Sequence, residues 1–135
     1  MFHPFVETIK QRGKADCCIA ALAMLLGRTY EDVLAAAITK KHPQPHATGM
    51  YTLRQLQATA RRLGIALHLR RTWDFETSTG LMTMEKIDPT TADFAQHVVL
   101  LKFGLIFDTD GFVWEPEMFC QILKFRPVSL LVEEE

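Results

Sequence analysis

Cys17 opens an apolar run, CCIAALAMLL, and a glutamine stands six residues before it in QRGKADC. A cysteine attacks as its thiolate, and the first turn of a helix stabilises that anion through unpaired backbone N–H groups and the positive end of the helix dipole. Attack on a carbonyl also needs donors for the oxyanion that forms. The Cys17 N–H is one, and the side-chain amide of Gln11 is the candidate for a second. A base must move the proton, and His97, which begins the run HVVLLKF, fits that role if a third group holds its ring.

A hairpin supplies candidates for the third group. The residues HVVLLKFGLIFD read as two apolar strands folded about Phe103-Gly104. With a two-residue loop, Lys102 faces Leu105, Val99 faces Asp108 and His97 faces Asp110, and these last four share one face of the pleat. Asp108 is then the diagonal neighbour of His97, about 7 Å away between Cα atoms, and Asp110 its direct partner. Either carboxylate can orient the imidazole, and a slip of one residue would turn both to the other face.

Each of these residues has a packing role open to it. Free cysteine is among the most buried residue types, so Cys17 alone reads as core. Only its combination with Gln11 and the His97 hairpin makes it a nucleophile. Cys18 and Cys120 read as packing, and Trp73 and Trp114 as core or core edge. Asp16 reads as a helix cap whose carboxylate accepts the N–H of Cys18 or Ile19.

The elements that must position these groups are helices first and strands later. The helix after Asp16 is apolar on nearly every face, which belongs in the middle of a domain, and Gly27 stops it. Thr29 with Asp32 opens a second helix through about Thr39, and Thr52 with Gln55 opens a third up to Gly64. Between them KKHPQPHATG reads as loop. It either borders a substrate cleft or merely connects. Strands are expected at Ile65–Leu69, with Ile65, Leu67 and Leu69 on the buried side, at Leu81–Ile87, on both arms of the hairpin and at Pro127–Val132, with a short helix or turn from Pro116 to about Leu123. The class is α+β.

Composition narrows the function. The 135 residues are 48% hydrophobic and carry a formal net charge of -1, which suits one domain over residues 1–135. No basic stripe interleaved with aromatics is present, so neither nucleic acid nor an acidic membrane surface is an expected partner. No apolar run approaches the roughly 20 residues of a membrane span, and MFHPFVETIK lacks the pattern of a secretory signal. A cytoplasmic protein with reduced thiols is expected, because three cysteines, two of them adjacent, form no disulfide framework. Neither metal nor cofactor is expected: His42 and His46 are separated by Pro43 and Pro45, and His3 and His68 stand apart.

Gln11, Asp16-Cys17 with its Ala/Leu/Met-rich helix, His97-Val-Val-Leu and an aspartate ending the next strand together resemble the papain-like cysteine peptidases. The closest type is the bacteriocin-leader-processing (double-glycine) peptidase domain and its stand-alone bacterial and phage relatives. The likeness runs from Gln11 to about Gly111. It implies Cys17 as nucleophile, Gln11 as oxyanion-hole amide, His97 as base and acid, and Asp108 as orienting acid. It also implies an amino-terminal helical half and a carboxy-terminal antiparallel sheet half with a cleft between them. Two positions depart from the family: Cys18 replaces the usual glycine, and Thr109 stands where proline tends to follow the aspartate, which leaves Asp110 open beside Asp108. The leader-peptide substrate of transporter-linked members is not carried over. The expected activity is hydrolysis of a peptide or isopeptide bond in a peptide or protein substrate. A catalytically silent binding or inhibitor module, which Cys18 would favour, and acyl transfer by the same residues are the alternatives. Specificity and oligomeric state stay open.

Overall fold

The apolar run after Asp16 folds as α1 (Cys17–Leu26), with Cys18 to Met24 buried. In the computed structural model, which describes residues 6–13, 15–48, 52–87 and 96–133, α1 packs on α2 (Tyr30–Ala37) and across the sheet. Thr29 caps α2 by accepting the Asp32 N–H at 3.1 Å. This helix ends short of Thr39 because Thr39 and His42 exchange backbone hydrogen bonds of 3.1 and 3.2 Å. The proline-rich segment is not loop throughout. It holds one helical turn, α3 (Pro45–Thr48), with proline at the first position, where its missing N–H costs nothing. The reciprocal cap expected of Thr52 and Gln55 is present at the start of α4 (Leu53–Arg62).

The strands β1 (Leu67–Arg70), β2 (Gly80–Lys86), β3 (Gln96–Lys102), β4 (Leu105–Phe107), β5 (Val113–Trp114) and β6 (Phe125–Glu133), with α5 (Pro116–Leu123) before the last, complete the described chain. They make a six-stranded sheet of order β1-β6-β2-β3-β4-β5, antiparallel at every pairing. The protein is therefore a mixed α+β fold of helices on an antiparallel sheet. The carboxy-terminal strand does not lie at an open edge; it is held between β1 and β2. Pro127 is tolerated there because the register shifts between Thr83 and Met84, and a bulge is where an interior strand can omit a ladder bond.

Alternation along the strands divides the core. Leu81, Val98, Leu100, Phe107 and Leu131 face α1, α2 and α4, whereas Met82, Met84, Val99, Leu101 and Ile106 meet Phe119 of α5, with Trp73 and Trp114 packed against them. Among the described residues no helix is long and apolar enough to cross a membrane.

The hairpin has the register expected of a two-residue loop: Lys102 pairs with Leu105, Leu101 with Ile106 and Leu100 with Phe107. Phe103 and Gly104 have φ of 56° and 73°, and two positive φ values define the turn whose twist matches paired strands. Pairing stops at Phe107, so His97 and Asp110 are not ladder partners. Instead the chain turns at Asp108, whose carbonyl accepts the Gly111 N–H at 3.1 Å and whose N–H donates to Phe112 at 2.9 Å.

Candidate active site

The first turn of α1 meets the start of β3, which sets Cys17 close enough to His97 for each to shift the other's titration. His97 Nε2 lies 2.7 Å from Asp108 Oδ1, so Nδ1 is the ring nitrogen left for the thiol. The imidazole is further held by stacking on Phe125, with ring centroids 5.5 Å apart. Asp108 is thus the aspartate that engages the imidazole. Asp110 instead closes the turn, its Oδ1 accepting the Phe112 N–H at 2.9 Å, while burial raises its pKa.

The electrostatics favour a thiolate–imidazolium pair. The neighbouring Cys18 thiol is the largest influence holding Cys17 well below the ordinary thiol value; burial opposes it, and His97 and the Val98 N–H add to it. Burial works against a charged His97, but hydrogen bonds to Asp108 and Cys17 outweigh it and raise the ring to about 9. Cys18 moves the other way, held protonated by Cys17 and by burial. It is buried in the core beneath α1, which agrees with the packing role expected of it. Cys120 lies half-buried against the α5 core, and burial raises its thiol too.

Gln11 is held against the turn that carries Asp108. Its N–H donates to the Thr109 carbonyl at 2.7 Å, and its Oε1 accepts from the Thr109 hydroxyl. Those bonds occupy Oε1 and leave Nε2 to bond elsewhere. One Nε2 hydrogen goes to the Gly13 carbonyl at 2.7 Å, and a primary amide has a second to offer. Thr109 also donates its own N–H to Asp108 Oδ1 at 2.8 Å, a bond that proline at this position could not make. A fully buried Thr109 thereby ties the oxyanion candidate to the carboxylate behind His97. Sequence reasoning missed this residue, because nothing in the spacing of DTDG says that a hydroxyl there meets a side chain 98 positions away.

Asp16 corrects a second expectation. It occupies the cap position of α1 but makes no side-chain cap bond. Its carboxylate points back, accepting the N–H groups of Arg12 at 2.8 Å and Gly13 at 3.0 Å and the hydroxyl of Tyr30. Arg12 also lies over the Tyr30 ring, 4.1 Å from its centroid. Asp16 thus anchors the Gln11–Gly13 segment, while the Ile19 and Ala20 N–H groups donate to its backbone carbonyl at 3.1 and 3.3 Å. Tyr30 gave no sequence signal for this contact beyond its place in α2.

Beside His97 and Cys18 a cavity of ≈ 210 Å³ opens between the start of α4 and the sheet. Leu53, Leu69 and Val128 line it and are 36%, 40% and 40% exposed. Leu69 therefore departs from the buried position that alternation along its strand predicts, and belongs to this wall instead. Of the segment from Lys40 to Tyr51, the residues Lys40, Lys41, His42 and Pro45 line a different cavity behind α4, and residues 49–51 lie outside the described residues. No group of three or more His, Cys, Asp or Glu side chains suited to a metal ion occurs among the described residues. His42 is paired with Gln55, while His3 and the side chain of His46 lie outside them. Neither models of known protein families nor curated proteins compared with the chain match it.

Proposed function

We propose that this chain is a papain-like cysteine peptidase that hydrolyses a peptide or isopeptide bond in a peptide or protein substrate. The observation that carries the reading is the meeting of Cys17, His97 and Asp108, drawn from a helix start, a strand and a turn, with the thiol depressed and the imidazole raised. Gln11 held by Thr109 next to Asp108, and a cavity of mixed polar and apolar lining that includes His97 and Cys18, support it.

In this reading Cys17 Sγ attacks the carbonyl carbon, and the π electron pair moves to oxygen, where the Cys17 N–H and Gln11 Nε2 hold it. Collapse of this adduct breaks the C–N bond as His97 gives its proton to the leaving amine. Water then adds to the thioester, losing a proton to His97, and Cys17 leaves as thiolate while the acid product departs. Asp108 holds the ring and its charge throughout.

The test is the rate of iodoacetamide alkylation against pH for wild type, Cys17→Ala and His97→Ala, with mass spectrometry locating the label. Selective labelling of Cys17 below pH 7 that disappears with His97 is expected. Slow labelling spread over the three cysteines, or labelling indifferent to His97, overturns the proposal.

A further inference from the structure

Helix α4 walls two cavities. Thr52, Leu53 and Leu56 face the cleft beside His97. Its opposite side faces a cavity of ≈ 420 Å³ closed by the end of α2 and by residues 39–45. That volume is in the range of small-molecule sites, roughly 300–1,000 Å³, and its walls include Ala37, Pro45 and Ala58. Around it stand Lys40, Lys41, Arg54 and Arg62, with no Asp or Glu among the lining residues. The ion pairs among the described residues are Arg12–Glu31, His97–Asp108 and Arg126–Glu85, so none of these four cations is matched by a carboxylate there. In a chain of net charge -1 this is a local excess, and like charges around one concavity create a potential that draws an anion.

The site is also partly set in advance. Arg62 donates to the Ala36 carbonyl at 2.8 Å, which fixes one cation at the end of α2. Gln55, bonded to His42 and to the Thr52 N–H, stiffens the wall. A ligand entering such a site spends less on ordering it. We propose that this cavity binds a small organic anion, its apolar body against Ala37, Pro45 and Ala58 and its phosphate or carboxylate at the Lys/Arg rim. The site is separate from Cys17 and does not depend on the peptidase reading.

The experiment titrates the full chain with five probes, following backbone amide shifts by NMR: 1-naphthyl phosphate, 1-naphthoate, the neutral 1-naphthol, inorganic phosphate and a glutamate-rich peptide. Saturable binding of at least one naphthyl anion is expected, with shifts centred on residues 37–62 and affinity about tenfold or more above both naphthol and inorganic phosphate. Whichever anion binds more tightly tells phosphate from carboxylate. The double variant Lys41→Gln/Arg54→Gln changes exposed side chains only. It is expected to weaken that binding about tenfold while leaving the alkylation rate of Cys17 unchanged. Ala58→Leu, which fills the cavity, should abolish binding. Absence of saturation, naphthol or inorganic phosphate binding as tightly as the naphthyl anions, or indifference to the double variant overturns the proposal. Tighter binding of a glutamate-rich peptide at the same residues also overturns it, in favour of a protein partner.

Discussion

Helices α1 and α4 are both ten residues long, and both begin at a residue type that favours helix caps, yet their starts are built in opposite ways. At α4 the Thr52 hydroxyl accepts the Gln55 N–H at 3.1 Å and the Gln55 side chain accepts the Thr52 N–H at 2.9 Å. The cap closes on itself, and its yield is stability. At α1 the Asp16 carboxylate turns away from the helix to hold Arg12, Gly13 and Tyr30, and the Ile19 N–H is met by the Asp16 backbone carbonyl at 3.1 Å. What separates the two helix starts is the direction of the capping side chain, decided by what lies behind it.

The largest break in the comparison should come from the partner of the thiolate. Asp108→Asn removes the charge behind His97, and a loss of turnover on the order of 10²- to 10⁴-fold is expected, whereas Asp110→Asn should leave activity close to wild type. The pH profile reads the same pair. Cys17 ionises as pH rises through its depressed pKa, and His97 keeps its proton until about 9. Turnover should therefore climb along the first limb and fall as pH passes about 9, and in Asp108→Asn the upper limb should move to lower pH.

Asp16→Asn tests the reversed cap. An amide cannot accept all that the carboxylate accepts, and a buried donor left unpaired costs about 1–3 kcal/mol. The expected result is lower thermal stability together with slower turnover, since the Gln11–Gly13 segment loses its anchor. A loss of stability with turnover per folded molecule intact would confine Asp16 to a structural role. Thr109→Val should have a smaller effect: an aldehyde peptide, which needs the oxyanion donors, should bind about tenfold more weakly, with iodoacetamide labelling of Cys17 unchanged and Thr109→Ser restoring binding. Equal loss in both reactions would place Thr109 in the fold alone. At the other helix, Thr52→Ala should cost about 1 kcal/mol in denaturant unfolding and leave Cys17 reactivity where it was.

The features legible in the residues were the short-range ones. A threonine and a glutamine three apart close the α4 cap, and Phe103-Gly104 admits a turn that sets the register of its arms; that register carries Asp108 to the face of His97. Steric and hydrogen-bonding rules over a few residues are enough for such choices. The hairpin could not choose between Asp108 and Asp110, because the choice rests on where the ladder stops.

The sequence by itself determined where α1, α2, α4 and α5 begin, and the pairing of the strand that bears His97 with the strand that ends just before Asp108. Tertiary structure alone decided that β6 lies inside the sheet, that Asp16 reaches Tyr30 and not its own helix, that Thr109 grips Gln11, and that four cations surround one cavity behind α4. These contacts join segments far apart in the chain. Their partners are selected by how whole faces pack, and no spacing along the chain encodes which face a distant residue will meet.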